Sequence, residues 1–384
     1  MQRSADRILT THCGSLARPA TLLDVMKAKA NGEPYDAEVY AARVRGAVAD
    51  IVRQQTENGI DVVTDGEQSK TGFFAYVRER LDGFEPVDGP PAKFFAEEVE
   101  AFPEYYADYF GRAMLGRTIA PRVSLVCAGP IRYKGQEAIQ RDIENLKAAL
   151  QGLKPADVFM PAVAPSGVGE NRYYKTEQDY WHALADAMRS EYQAIVDAGF
   201  LLQIDDPFLT DVLSYPSTGG ADPRKKAEMY VEAVNHGLRS IPPEKVRFHT
   251  CYGINEGPRV HDAPLRDVVP LMLKVNAGAY SFEAANPRHE HEYRIWEDVK
   301  LPEGKILIPG VVTHASNIVE HPEYIAERIV RYAQRAGREN VIAGTDCGFS
   351  SQATYHPEVD PKVVWAKFRA MSEGARLATQ QLWR

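Results

Sequence analysis

Cysteine is scarce in this chain, with four residues, at positions 13, 127, 251 and 347, among 384. Four widely spaced cysteines exclude a disulfide scaffold. They point instead to burial, metal binding or reactivity. An excess of basic residues is absent as well. Lys and Arg number 45 against 53 Asp and Glu, a formal net charge of −8. That balance argues against nucleic acid or an anionic membrane surface as the main partner. No stretch approaches the roughly 20 apolar residues of a membrane span. The opening MQRSADRILTTHCGS has no apolar signal core, so a cytoplasmic protein is expected. Fixed-period repeats and low-complexity tracts are missing, which removes solenoids and disordered linkers.

What the chain does have is a recurring alternation of short apolar runs and longer amphipathic segments. The runs are RILTTHCGS (7–15), GIDVVTDGE (59–67), RVSLVCAGP (122–130), DVFMPAVAP (157–165), FLLQIDDP (200–207), VRFHTCYG (246–253), AYSFEAAN (279–286), KILIPGVV (305–312) and NVIAGTDCG (340–348). Helix-like stretches precede many of them. EYQAIVDAGF and YIAERIVRYAQRAG carry a Gly of the C-cap kind. Strands alternating with helices predict parallel βαβ units and a TIM (β/α)8 barrel. Nine runs are one too many for that barrel. DVFMPAVAP, interrupted by proline and followed by a Gly- and Tyr-rich continuation, reads as the extra one. The expected organisation is a single (β/α)8 barrel over residues 1–384 with insertions near 82–116 and 155–180. Insertions of that length read as lids or oligomer contacts, so a homo-oligomer is open.

Polar residues recur where these runs end: His12 and Ser15, Asp65 and Glu67, Asp205 and Asp206, His249 and Cys251, Glu283, Asp346 and Cys347. The C-terminal ends of barrel strands are where such a fold keeps its active site. His249 and Cys251 stand at i and i+2, on one face of a strand. With Glu283 and Cys347 they offer one imidazole, two thiolates and one carboxylate. That donor set suits zinc better than calcium or magnesium. Ligands drawn from three separate strands fit a catalytic metal better than a structural one.

HTCYG, SFEAAN and GTDCG resemble the His-x-Cys, Glu and Asp-Cys-Gly segments of cobalamin-independent methionine synthase. TTHCGSLARP, VVTDGEQSK with RLDGF, CAGP, QIDDP and IPGVV resemble further strand-end motifs of that family, in the same order. The resemblance implies the family's C-terminal catalytic barrel and zinc held by His249, Cys251, Glu283 and Cys347. It also implies a thiol acceptor such as homocysteine. Glu67 and Asp205 match the family's acidic residues for the substrate ammonium, and Ser15 matches its serine for the carboxylate. His314, in GVVTHASN, lies near a family histidine that donates a proton to the leaving group. His12 is weighed beside it. Cys13 stands where the family has an apolar residue and reads as a small packing residue at the edge of the site. The charged run PRHEHE (287–292) reads as a solvated loop.

The chemistry follows from thiol reactivity. A free thiol has a pKa of about 8.5, whereas a zinc-bound thiol is deprotonated outright. Such a thiolate attacks an alkyl carbon, most simply a methyl group. The donor stays open between methylfolate, a methylated corrinoid and another methylated small molecule. This chain has no counterpart to the N-terminal half of full methionine synthases, nor to the aromatic segment after CAGP. The alternative is a coenzyme M transferase acting on epoxides, with Lys70 and Arg18 near the site for its sulfonate. A non-catalytic zinc-binding protein is the third reading.

Overall fold

Eight of the apolar runs become strands of one parallel sheet. In chain order the strands are β1 (Leu9–Thr10), β2 (Val62–Val63), β3 (Leu81–Val87), β4 (Ser124–Tyr133), β5 (Asp157–Val163), β6 (Glu170–Asn171), β7 (Leu201–Asp205), β8 (Val246–Thr250), β9 (Ala279–Phe282), β10 (Ile306–Val312) and β11 (Ile342–Thr345). The large sheet runs β1-β11-β10-β9-β8-β7-β5-β2. A parallel bridge from Thr11 to Val62 brings its two ends together. The result is a nearly closed α/β barrel of the TIM type. The computed structural model describes every residue except 74, 88–94, 114–116, 121–122, 217–221 and 254–255.

One strand assignment is corrected. DVFMPAVAP is a barrel strand, paired with β2 on one side and β7 on the other. The run left over is the one around CAGP. It forms β4 of a separate three-stranded sheet, order β3-β4-β6. The reason is burial. Phe159 to Val163 are all buried, whereas β4 mixes buried positions with the exposed Ala128, Pro130 and Arg132 and pairs antiparallel with β3. Pro161 is accommodated within the strand, and Pro165 lies beyond its end.

Helices fill the gaps between strands where local signals allow. Thr176 caps the helix Glu177–Asp197 by accepting from the Asp179 N–H. The helix Pro322–Ala336 stops at Gly337, whose φ of 89° is the left-handed conformation that glycine adopts without strain. From the first insertion, the helices Ala96–Ala101 and Pro103–Arg112 pack an aromatic cluster of Phe95, Tyr106, Tyr109 and Tyr215 beside the barrel mouth. Residues 88–94 and 114–116 of that insertion lie outside the described residues. Among the described residues, no helix is long and apolar enough to cross a membrane.

Candidate metal centre and thiol pocket

The strand ends open into one cavity at the barrel mouth. Its floor carries Cys13, Ser15, Glu67, Asp205, His249, Cys251, His314 and Cys347. Phe73, Phe95, Phe208, Tyr252 and Phe349 form apolar walls. Seven of the eight residues singled out from the sequence therefore share one space. Glu283 stands just behind it.

The sulfur side comes first. Cys13, Cys251 and Cys347 pack as a buried cluster, with Cys251 Sγ 3.2 Å from Cys347 Sγ. Cys13, His249 and Cys347 present ligand atoms that all lie within 4.8 Å of one another. The His249 ring is held by Ser281 Oγ, 3.0 Å from Nδ1, while its buried Nε2 has no partner. A buried imidazole nitrogen without a hydrogen bond is costly unless something else occupies it. Burial, then the charge of Arg247, push the His249 ring down to about 3, which leaves it neutral at ordinary pH. The thiols move the other way. Cys251 is raised well above its usual value by its contact with Cys347 and by burial, Cys347 chiefly by its contact with Cys13, and Cys13 to about 12 by burial. Three such thiols become thiolates together only if a cation joins them. This Cys/His group could hold a metal ion.

Glu283 falls in a second candidate group. Its carboxylate forms a second group with His314 and Asp346, again within 4.8 Å. Both its oxygens are occupied. The Tyr252 N–H donates to Oε1 at 2.8 Å, and Arg259 Nη2 and Asn286 Nδ2 donate to Oε2, each at 2.8 Å. Asp346 accepts from the Ala284 and Ala285 N–H groups, both at 2.7 Å. Neither ring nitrogen of His314 makes a well-aligned hydrogen bond, although the Gly253 backbone lies near it. Burial lowers His314 to about 4.

The carboxylate pair lines the same cavity. Glu67 has φ +57°, a left-handed conformation that a non-glycine residue adopts only under constraint. Its N–H donates to Asp65 Oδ1 at 2.9 Å, which fixes the turn and points the side chain inward. Glu67 Oε2 is buried without a partner. Asp205 accepts from Gln203 Nε2 at 2.8 Å. Burial, then the charge of Glu67, push Asp205 well above the ordinary carboxylate range. Glu67 is raised by burial, with Lys70 and Arg18 pulling it down. The coupling of the two carboxyls favours either a shared proton or a cation beside them.

The basic residues near the pocket are committed elsewhere. Lys70 Nζ donates to the Pro161 carbonyl at 2.6 Å. Arg18 donates to the carbonyls of Leu16, Glu67, Lys70 and Ser350. No Lys or Arg lines the cavity among the described residues.

Some readings shift. His12 turns away from the cavity, with Gln55 Oε1 2.8 Å from Nε2 and the Gly14 N–H donating to Nδ1. Asp206 accepts from Ser166 Oγ at 2.6 Å and from the Leu209 N–H, a capping role. PRHEHE is not wholly solvated. His289 is 3 % exposed, stacked on Tyr252 and paired with Asp262 and Glu292. Cys13 and Asp346 were missed as possible donors, and Arg259 as a partner of Glu283. For Cys13 the signal existed, because positions 13 and 15 have the same i, i+2 spacing that singled out His249 and Cys251. Arg259 carries no such signal, since its partner lies 24 residues away.

The chain is similar to known proteins over most of its length. The family model described as the cobalamin-independent synthase catalytic domain matches residues 8–92 and 167–367. A methionine synthase of Sulfolobus acidocaldarius is 24% identical over 88% of this chain and 85% of its own. The structure of a B12-independent methionine synthase from Shewanella sp. W3-18-1, in complex with selenomethionine, has a TM-score of 0.73 at 18% identity, covering 98% of this chain and 99% of that one. The structure of a putative vitamin-B12 independent methionine synthase from Listeria monocytogenes has a TM-score of 0.65 at 20% identity, covering 96% and 98%. At these identities the two structures speak for the fold.

Proposed function

The chain belongs to the cobalamin-independent synthase catalytic-domain family, and from that premise we propose that it is a zinc-dependent S-methyltransferase acting on an amino thiol such as homocysteine. The observation that carries the reading is the meeting, in one cavity, of the unpartnered His249 Nε2, the thiol cluster and the Glu67–Asp205 pair. His249, Cys251 and Cys347 would hold the zinc, with a fourth ligand from the neighbouring side chains. When bound, the metal supplies a thiolate at neutral pH.

The rest is done by this chain's own groups. Glu67 and Asp205 take the substrate ammonium, which settles their mutual repulsion. Ser15 Oγ faces the substrate carboxylate. The aromatic walls keep water from the sulfur and strengthen every charge interaction within. His314 is the proposed proton donor to the leaving group. Neutral at rest, the ring would take up a proton from solvent at the open mouth and pass it to the leaving group. The methyl donor, whether methylfolate, a methylated corrinoid or another methylated compound, enters from the open mouth.

The coenzyme M reading needs a cation for the sulfonate. Lys70 and Arg18 are bonded to carbonyls instead, which favours the amine-bearing thiol. A purely structural zinc needs neither an open cavity nor an inward-facing carboxylate pair. The test is to incubate zinc-loaded protein with homocysteine, cysteine or coenzyme M and each donor, and to read products by mass spectrometry. Homocysteine should gain one methyl mass. Alkylation of coenzyme M alone overturns the proposal.

A further inference from the structure

We propose that a buried ion pair outside the cavity, Lys367 with Glu320, fixes the loop 313–320 and so aims His314 into the cavity. Both are positioning residues, and their part in the reaction rests on the reading of His314 as the proton donor.

Lys367 stands where its helix calls for an apolar side chain. In the helix Pro361–Leu382, Val364, Lys367, Phe368 and Met371 follow the i, i+3, i+4, i+7 spacing of a core-facing stripe, and all four are buried. The lysine is 0 % exposed. Its Nζ donates to Glu320 Oε2 at 2.8 Å and to the Ile318 carbonyl. Glu320 carries the connection onward. Its Oε1 accepts from the Thr313 N–H at 2.8 Å, so one carboxylate ties the two ends of the loop to each other and to the helix. A buried ion pair adds little net stability, because the desolvation of two charges offsets their attraction. Its effect here is to hold the groups it touches in one arrangement.

The loop has little else to hold it by packing. Ile318 is 75 % exposed and Val319 is exposed beside it, so neither anchors the chain. Polar ties do the work instead. Asn317 Nδ2 donates to the Glu358 carbonyl at 3.0 Å, and its Oδ1 accepts from the Asp360 N–H at 2.9 Å. On the strand side, the Asp346 N–H donates to the Val312 carbonyl at 3.0 Å, which secures the residue before Thr313.

His314 follows Thr313 directly. It is buried and lines the cavity, yet no well-aligned hydrogen bond holds either ring nitrogen. The ring is therefore aimed by its backbone, and Glu320 and Lys367 set that backbone at Thr313. A displacement of about 1 Å at a reacting group costs on the order of a hundredfold in rate. Neither member of the ion pair lines the cavity. Its removal leaves the groups proposed to hold the thiol and the metal untouched.

Hydrogen exchange and histidine nitrogen NMR on the zinc-loaded protein test this. The variant is Lys367→Met combined with Glu320→Met, which removes both charges together and strands neither. Amides of residues 313–320 should exchange roughly tenfold faster than in the wild type, while the barrel strands keep their protection. The His314 ring resonances, assigned by their loss in His314→Asn, should shift. Where the double variant does not fold, Glu320→Gln is read the same way, since it keeps an oxygen for the Thr313 N–H and removes only the charge. Unchanged loop exchange with unmoved ring resonances overturns the inference. Turnover adds a second readout. With homocysteine and methylfolate, whose leaving nitrogen must take up a proton, kcat should fall roughly tenfold or more, while KM for homocysteine stays within about twofold and zinc stoichiometry is unchanged. A kcat equal to that of the wild type on a loosened loop overturns the positioning role. A wild type that methylates no thiol with this donor sinks that use of His314 alone, and exchange and resonances still decide whether the ion pair places the ring.

Discussion

Asp205→Asn should weaken thiol binding and stabilise the empty protein in the same stroke. Asp205 is 7 % exposed, and Gln203 Nε2 donates to its Oδ1. An Asn oxygen keeps that bond, so the variant removes the charge and little else. The loss of a charge-assisted hydrogen bond to the substrate ammonium is worth about 1.5–3 kcal/mol, which is roughly a 10- to 150-fold rise in the dissociation constant. The stability effect has the opposite sign. Burial and the Glu67 charge raise the Asp205 pKa in the folded protein. A carboxyl raised this way leaves the fold most stable below its unfolded pKa of about 3.9 and destabilises it as pH climbs through the folded pKa, by about 1.4 kcal/mol per pH unit in between. The advantage of the Asn variant should therefore grow from pH 5 to pH 8. Calorimetric titration of zinc-loaded protein with homocysteine gives the first number, and thermal melts at the two pH values give the second. Unchanged homocysteine affinity together with a lower melting temperature at pH 8 would refute the reasoning.

Other consequences are as direct. Cys251→Ser and Cys347→Ser should each abolish stoichiometric zinc, read by metal analysis after dialysis, because each removes a thiolate. Chelating the zinc from the wild type should leave the helix signal in circular dichroism intact, since the barrel has its own core; loss of most of that signal would make the zinc structural. Burial opposes protonation of His289, but Asp262 and Glu292 outweigh it and raise the group to about 9. A histidine raised from 6.5 to about 9 contributes about 3 kcal/mol, fully present below pH 6.5 and lost as pH rises through 9. The gap in melting temperature between wild type and His289→Asn should therefore close between pH 6 and pH 10. Gly310→Ala should lower both stability and zinc affinity, because its Cβ would stand 2.8 Å from the Asp346 backbone nitrogen, one residue before Cys347. A melting temperature within a degree of wild type would show that this contact yields.

The barrel was legible because burial on both faces of a parallel strand writes itself as a short apolar run, and eight of nine such runs are barrel strands. The ninth, around CAGP, carries the same composition but pairs antiparallel beside the barrel, a distinction that only tertiary packing makes. His249, Cys251 and Cys347 were legible from spacing and donor type. The position of Glu283 was not. Its environment is set by Arg259, which reaches it from a loop held by Glu98 of the first insertion. Asp346 was visible as a strand-end acid, yet its use by two backbone N–H groups depends on how β9 and β11 converge. His289 shows the converse case. A charged run reads as solvated until a neighbouring ring and two carboxylates bury it.

The central claim is that this cavity activates an amino thiol on zinc. Zinc-edge X-ray absorption of the loaded protein with saturating selenohomocysteine tests it without reference to the methyl donor. A zinc–selenium shell should appear, and it should weaken in Asp205→Asn at the same ligand concentration. A spectrum unchanged by selenohomocysteine, in protein that carries one zinc per chain, would contradict the account.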